Sequence, residues 1–207
     1  MLVKTLTPKR FGANCYIVIE DENSLIIDPS VDVATLKRVT EGTKVAAIFI
    51  THGHFDHIYF LKEAQQEFGV PIYLHEHALE KLSDTRRNYS VVTEEKFVIL
   101  PEEIDYKLLK DNEILTDVFP KSIQVLETFG HTNCSVSFVI ERSLFTGDLL
   151  FFENVGRTDL YTSDFSSLLR SLKNLANLKG EYTVYPGHGK PTKLSHERSV
   201  NPYFSMQ

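Results

Sequence analysis

Apolar residues in this chain fall into short runs of strand length, separated by polar or glycine-containing turns. Cys15 to Ile19 and Ser24 to Asp28 are two such runs, and the polar residues between them predict a hairpin. Val45 to Ile50 is apolar without a break, which is typical of a strand covered on both faces. Similar runs predict further strands at Val70 to Leu74, Ser122 to Thr128, Val136 to Ile140, Leu144 to Thr146 and Tyr182 to Tyr185.

Helical periodicity alternates with these strands. One helix has its apolar face at Val33, Leu36 and Val39, where Ser30 or Asp32 can cap it and Gly42 ends it. Another follows residue 57, has apolar positions 58, 61, 64 and 68, and stops at Gly69. The final helix, residues 165 to 176, has a wide apolar stripe that predicts packing on a sheet. Residues 83 to 121 are polar and broken by prolines, so no long element is predicted there. Strands and helices in this order are typical of a layered α/β fold.

Composition narrows the class of protein. A chain of 207 residues that is 42% hydrophobic can bury a core, and we expect one domain over residues 1–207. The net charge of -6 argues against nucleic acid as a partner. The apolar runs are too short to span a bilayer and no signal-peptide core follows Met1, so we expect a cytoplasmic protein without a membrane partner. Cys15 and Cys134 are expected to be free, buried thiols.

The stretch directly after the Val45 to Ile50 strand is rich in metal-binding residue types. It contains His52, His54, Asp56 and His57 within six residues. Neutral imidazole and carboxylate are the usual ligands of zinc and similar ions. His52 and His54 are two apart, so extended backbone can direct both to one ion, whereas the adjacent Asp56 and His57 must project differently. This cluster therefore predicts a metal site that needs further ligands from elsewhere in the chain.

Three later strands each run into a glycine-containing loop with one candidate ligand. These ligands are His131, Asp148 and His188. Glycine beside a ligand lets the backbone turn tightly and approach a metal closely. Each residue alone would more often be structural, but together they supply what the first cluster lacks. A second His-x-His at His75 and His77 leads directly into a helical stretch and is interpreted as a solvated helix entry.

The complete pattern of His52, His54, Asp56 and His57, then His131, Asp148 and His188, resembles the metallo-β-lactamase fold superfamily. Within it, residues 156–160 and 187–192 resemble single-domain relatives of glyoxalase II. The resemblance implies an α/β, four-layer αββα sandwich with the metal site at one edge of the two sheets. It also implies that two divalent cations, most commonly zinc with iron or manganese as alternatives, are bound.

The resemblance further implies a ligand set for each cation. His52, His54 and His131 would hold one cation, Asp56, His57 and His188 the other, and Asp148 would bridge them. Two such cations would activate a bridging hydroxide for attack on a small-molecule thioester or ester, and Asp56 would hold that hydroxide in line. Because true β-lactamases of this fold typically lack the bridging carboxylate, antibiotic hydrolysis is not expected.

Other residues near these motifs have weaker assignments. Asp28 resembles the family aspartate that organises the metal region, although a turn residue before a proline has the same appearance. Arg157 and Asp159 could contact substrate or form an internal ion pair. Cys134 stands where the family usually has glycine; the ligand set is complete without it, so a packing role is favoured.

Several functions remain open from the sequence. The nearest rival to the binuclear hydrolase is a persulfide dioxygenase with a single iron at His52, His131 and Asp148. A nuclease of this fold would need an inserted domain, and a binding module would be expected to have disrupted ligands. The lack of the basic C-terminal domain of full-length glyoxalase II leaves glutathione recognition open. Residues 86–90 and 151–161 are expected to shape the pocket, while the acyl group and the oligomeric state are left open.

Overall fold

The first of two mixed sheets occupies the N-terminal half of the chain. The computed structural model describes residues 1–206. The sheet has the order β1-β2-β3-β4-β5-β6, antiparallel from β1 to β3 and parallel from β3 to β6. Its strands are β1 (Leu2–Leu6), β2 (Cys15–Glu20), β3 (Asn23–Ile27), β4 (Lys44–Phe49), β5 (Ile72–His75) and β6 (Tyr106–Leu109). The unbroken apolar run predicted as a covered strand is β4, which lies inside the sheet between β3 and β5.

The second sheet is built from the C-terminal half. Its order is β14-β13-β10-β9-β8-β7, with β10 and β13 parallel and the other pairs antiparallel. In chain order the strands are β7 (Ile114–Leu115), β8 (Ile123–Glu127), β9 (Val136–Ile140), β10 (Ser143–Gly147), the separate hairpin β11 (Leu150–Phe151) and β12 (Asn154–Val155), β13 (Thr183–Pro186) and β14 (Thr192–Lys193). The predicted hairpin of residues 136–146 is β9 and β10.

Seven short helices accompany the two sheets within residues 1–206. They are α1 (Val33–Thr40), α2 (Phe55–Ile58), α3 (Leu61–Phe68), α4 (Ala78–Leu82), α5 (Phe165–Ala176), α6 (Leu194–Val200) and α7 (Pro202–Ser205). Asp32 caps α1 by accepting a hydrogen bond from the Thr35 amide at 2.9 Å, and Gly69 ends α3 in the left-handed conformation. No helix in this part of the chain is long and apolar enough to cross a membrane.

Three apolar clusters hold these elements in four layers. One joins the first sheet to the helices on its outer face, and includes Leu36, Ile48 and Leu61. The middle cluster lies between the sheets, where Phe49 packs edge-to-face on Phe138 with ring centroids 5.2 Å apart. The third joins the second sheet to α5 and α6. The predicted four-layer αββα arrangement is confirmed.

Several sequence-based boundaries were wrong. The helix expected after residue 57 is two helices, because the chain turns at Tyr59 and Phe60 between α2 and α3. The interrupted region 83–121 has no long element, as predicted, but it contributes the short strands β6 and β7 to the two sheets. The helix at 165–176 is not the final one, since α6 and α7 follow it. His75 is a buried strand end, not part of a solvated helix entry; only His77 of that pair is exposed.

Candidate metal centre

The predicted metal ligands meet at one edge of the two sheets. His52 and His54 follow β4, Asp56 and His57 lie in α2, His131 follows β8, Asp148 follows β10 and His188 follows β13. These strands all run in the direction that brings their carboxyl ends to this edge, where loops of layered α/β folds commonly form binding sites. The first sheet therefore supplies four of the side chains and the second sheet supplies three.

Six of the seven side chains form two separate groups of three. In one, the ligand atoms of His52, His54 and His131 all lie within 4.8 Å of one another, and His54 Nδ1 is 2.9 Å from His131 Nε2. In the other, Asp56, His57 and His188 meet the same limit, with His188 Nε2 3.2 Å from Asp56 Oδ2. Atoms that share one zinc ion at normal bond lengths are roughly 3 to 3.4 Å apart. The distances of 2.9 and 3.2 Å are close to that spacing.

Asp148 lies between the two groups. Its Oδ1 is 3.3 Å from His57 Nε2, and its Oδ2 is 3.5 Å from His131 Nε2 and 3.6 Å from His188 Nε2. A carboxylate in this position would be within reach of a cation held by either group. The membership of the groups equals the ligand sets that the family resemblance implies; occupation by metal stays a prediction.

Buried polar atoms at this point have no protein partner, which tests whether cations fit. His52 Nε2, His57 Nε2 and Asp148 Oδ1 are buried without a hydrogen bond, although the last two atoms lie 3.3 Å apart. Buried polar atoms in folded proteins nearly always have partners, and unpartnered atoms are costly. Imidazole nitrogens and carboxylate oxygens together suit zinc, iron or manganese. The residues therefore fit a pair of divalent cations.

Four of the histidines are oriented through their second ring nitrogen. His57 Nδ1 donates to Asp28 Oδ2 at 2.9 Å, and His52 Nδ1 lies 3.0 Å from the Thr51 hydroxyl. The remaining two donate to backbone carbonyls: His131 Nδ1 to Arg157 at 2.9 Å and His188 Nδ1 to Gly12 at 3.1 Å. Each contact leaves the Nε2 atom directed at the centre, as in many metal sites.

Asp28 also ties this edge together. Its carboxylate accepts from the Thr51 amide and from the Thr51 hydroxyl, both at 2.7 Å, in addition to His57. Asp28 is fully buried at the end of β3 and has a left-handed backbone, φ 52°. Its three contacts join β3, the His52 loop and α2, so one carboxylate positions residues on both sides of the centre.

The imidazoles differ in their affinity for protons. Burial lowers the pKa of His52 and of His54 well below the ordinary value, and neighbouring imidazoles lower it further. Burial acts in the same direction on His57, but the carboxylates of Asp56 and Asp148 outweigh it and raise the pKa of His57 well above the ordinary value. The lowered pKa of His52 and His54 favours the neutral form that binds metal, whereas the raised pKa of His57 favours a proton with which a cation would compete.

Glycines allow the backbone to approach the ligands. A Cβ atom at Gly187 would lie 2.0 Å from Asp148 Oδ1 and 2.8 Å from His57 Cε1. A Cβ atom at Gly156 would lie 1.8 Å from the Asp148 carbonyl oxygen and 3.2 Å from His131 Nδ1. No side chain can be accommodated at these positions without displacing a ligand.

A cleft of about 590 Å³ opens above the ligands. Besides His54, Asp56, His131, Asp148 and His188, its lining residues are Phe55, Tyr89, Val92, Phe151, Val155, Arg157 and Leu160. The predicted pocket segments 86–90 and 151–161 both contribute to it. Phe55 and Val92 lie outside those segments and were not predicted.

Residues with open assignments are also placed. Arg157 and Asp159 form a two-point ion pair at 2.6 and 2.7 Å on the surface of the cleft. Cys134 is fully buried against Thr132 and belongs to none of the ligand groups, and Cys15 is likewise a free, buried thiol. Sequence reasoning missed Thr51 and the Gly12 carbonyl as orienting groups. The hydroxyl beside His52 was a usable signal, whereas a backbone carbonyl leaves none.

Comparison with known proteins gives the same family for sequence and structure. The family model described as the metallo-beta-lactamase superfamily matches residues 8–188. A probable metallo-hydrolase of Streptococcus pyogenes is 35% identical, over 93% of this chain and 86% of the relative. The hydroxyacylglutathione hydrolase GloC of Haemophilus influenzae is 29% identical over the full length of both proteins.

Two solved structures superpose on nearly the whole chain. The structure titled BLEG-1 B3 metallo-beta-lactamase has a TM-score of 0.90 and 31% identity, covering 99% of this chain and 100% of that one. The structure titled TTHA1623 in a di-iron-bound form has a TM-score of 0.82 and 31% identity, covering 97% and 99% of the two chains.

Proposed function

Because the chain belongs to the metallo-beta-lactamase superfamily, we propose that it is a binuclear metal-dependent hydrolase of small-molecule thioesters or related esters. The observation that carries the proposal is the convergence of seven ligand side chains on one point, where His52 Nε2, His57 Nε2 and Asp148 Oδ1 are buried without a hydrogen bond. The di-iron form of a relative that is 31% identical supports two cations. The likeness to GloC supports thioester hydrolysis.

The cations would be held by the two groups already described, with Asp148 shared between them. When bound, they would supply an activated water and an electrophile that polarises the carbonyl group of the substrate. In the overall reaction, water oxygen joins the carbonyl carbon and the carbon–sulfur or carbon–oxygen bond breaks. The acyl group is released as a carboxylic acid, and the departing sulfur or oxygen takes a proton to become a thiol or an alcohol.

The protein side chains direct this reaction. Asp56 faces the cleft. Burial alone would raise the pKa of the Asp56 carboxyl, but the nearby His57 imidazole outweighs burial and lowers it. Asp56 is therefore an anion at neutral pH. An anion there can accept a hydrogen bond from the attacking water and align it. Asp28, Thr51 and the two backbone carbonyls hold the imidazoles still, so the site is organised before substrate arrives.

One specific observation supports a second candidate, β-lactam hydrolysis. The structure titled a B3 metallo-beta-lactamase is 31% identical and covers nearly all of both chains. The expectation that Asp148 separates this chain from antibiotic hydrolases stays a prediction. The persulfide dioxygenase alternative also stays open, and it predicts one iron and oxygen uptake.

The test combines metal analysis with a substrate panel. Protein purified without added metal is assayed for zinc, iron and manganese per chain, then offered thioesters, esters, a chromogenic cephalosporin and a persulfide with an oxygen electrode. We expect about two ions per chain and thioester or ester turnover that Asp56→Asn reduces by roughly a hundredfold or more. One iron with persulfide-dependent oxygen uptake, or cephalosporin turnover alone, would overturn the proposal.

A further inference from the structure

Apart from Arg157, the residues that line the cleft and are not ligands are apolar or aromatic. The first wall consists of Phe55, Tyr89 and Val92, and the second wall consists of Phe151, Val155 and Leu160. Val92 is 73% exposed at the mouth of the cleft, although it is a large hydrophobic residue. Apolar side chains left open to water around a concave site are typical of ligand-binding surfaces.

The walls carry a single charged side chain apart from the ligands, and that side chain already forms an ion pair. Arg157 is the only charged residue lining the cleft, within residues 1–206, that is not a ligand. Its guanidinium donates to both carboxylate oxygens of Asp159. Lys190 is near the site in sequence, but its ammonium lies 3.6 Å from the ring centre of Phe152, and neither residue lines the cleft. A substrate carboxylate placed between the walls would lose water without gaining a free cation, which is costly.

One hydrogen bond joins the two walls, and a second anchors the loop that carries Leu160. The Tyr89 hydroxyl of the first wall accepts a hydrogen bond from the Tyr161 amide at 2.6 Å, next to Leu160 of the second wall. The fully buried Lys81 donates to the Thr162 hydroxyl at 2.7 Å and so anchors the same loop. A cleft that is shaped in advance binds an apolar group without the cost of ordering its own side chains.

We infer that the substrate carries an apolar acyl chain or phenyl group that lies between the two walls. This inference rests on the proposed function and narrows its substrate class. The carbonyl carbon is presented to the ligands, the chain occupies the walls, and the departing thiol or alcohol carries no carboxylate near the cleft. A polar hydroxyacyl group on a tripeptide thiol is the poorer substrate.

A chain-length series tests the inference in the metal-loaded protein. Acetyl, butanoyl, hexanoyl and octanoyl thioesters of N-acetylcysteamine are compared with S-lactoylglutathione. We expect kcat/KM to rise roughly threefold to fourfold per methylene until the walls are filled, and every longer acyl thioester to exceed lactoylglutathione. A flat series, or lactoylglutathione as the best substrate, would overturn the inference while leaving thioester hydrolysis intact.

Binding to the metal-free protein separates this inference from the proposed function. Butyl, hexyl and octyl thioethers of N-acetylcysteamine cannot be hydrolysed, and their affinity is measured by titration calorimetry beside S-hexylglutathione. Affinity that increases with alkyl length supports the apolar walls even when no thioester is turned over. Affinity that is independent of length, or highest for the glutathione conjugate, contradicts them.

Two wall variants locate the effect. Val92→Ser and Leu160→Ser are each expected to lower the ratio of kcat/KM for the octanoyl substrate to that for the acetyl substrate by roughly tenfold. Val200→Ser on α6 is the matched control, since Val200 is 49% exposed and lies outside the cleft. An equal loss for both chain lengths would show that the variants act on the fold and would count against the walls as the acyl site.

Discussion

At the scale of single residues, the candidate centre depends on the outer nitrogen of each imidazole as much as on the inner one. A carboxylate, a hydroxyl and two backbone carbonyls hold four rings in place. A ring without such a partner can rotate, and its nitrogen then leaves the ligand position. These outer contacts are expected to control cation affinity without touching a cation.

Asp28→Asn is expected to weaken the group formed by Asp56, His57 and His188. The amide replaces one acceptor oxygen by a donor, so it cannot accept all three hydrogen bonds from the Thr51 amide, the Thr51 hydroxyl and His57. We expect about 10- to 100-fold lower affinity for one cation and about 1–3 kcal/mol lower stability. Competition with a chromogenic chelator and urea unfolding measure the two effects. Asp117→Asn on an exposed turn is the control, and unchanged cation affinity in Asp28→Asn would contradict the orienting role.

Cation affinity should depend on pH through His57 and His188. Neighbouring carboxylates raise the pKa of both imidazoles despite the opposing effect of burial. Below those raised values each ring holds a proton that a cation must displace, so apparent affinity falls as pH decreases and binding releases protons. Calorimetry in buffers of different ionisation enthalpy, between about pH 8 and pH 6, counts the protons. Affinity and heat that are independent of pH and buffer would contradict this assignment.

At the scale of elements, the site is formed by residues that follow the carboxyl ends of strands. The chain carries its ligands just beyond β4, β8, β10 and β13, and it uses glycine where the backbone must pass close to them. The backbone of these loops is therefore held in one conformation close to the ligands. Small side chains in these loops should be tolerated only where space exists.

Gly187→Ala is expected to disrupt the centre without unfolding the sheet. The new methyl group would overlap Asp148 Oδ1 and contact His57, so one or both ligands must move. We expect loss of at least one cation per chain and of most activity, measured by metal analysis and turnover. Gly69→Ala is the control: its φ of 64° is strained by any side chain, but nothing lies within 4 Å. It should cost about 1 kcal/mol of stability and no metal.

The apolar pattern was sufficient to predict most strands, and clusters of imidazole and carboxylate residues were sufficient to predict the ligand-bearing loops. β4 was recognisable because every residue from Val45 to Ile50 is apolar, and the ligands were recognisable because imidazole and carboxylate clusters are uncommon. β1 and β6 were missed, since each pairs with a single neighbour in a register that only the tertiary structure defines. The break between α2 and α3 was missed because apolar spacing continues across it. The contacts to the Gly12 and Arg157 carbonyls involve backbone atoms that no side-chain pattern reports.

At the scale of the whole molecule, the centre joins the two sheets. The first sheet contributes His52, His54, Asp56 and His57, and the second contributes His131, Asp148 and His188. A direct hydrogen bond from the Val136 amide to the Thr51 carbonyl, at 2.9 Å, connects the sheets beside the ligands. Cations bound there would add links between segments that are far apart in sequence.

Cation removal should therefore lower the thermal stability of the entire chain. A ligand at a hundred times its Kd stabilises the native state by about 2.7 kcal/mol, and a chain of this length gains roughly 2–4 °C for each kcal/mol. We expect the Tm to fall by about 5–10 °C with chelator and to recover when metal is returned. Calorimetry of Asp148→Ala, which lacks the shared ligand, should show a much smaller change; a full-sized change would mean that the cations bind elsewhere.

The order of the ligands along the chain has a consequence for biosynthesis. A chain emerges from the ribosome N-terminus first, so His52 and His54 meet the cellular metal pool long before His188 has been made. The group of His52, His54 and His131 is complete in sequence while the partner group still lacks its last imidazole. Three imidazoles by themselves favour copper over zinc or iron. We therefore expect loading with zinc, iron or manganese to be sensitive to free copper while the chain is still being translated.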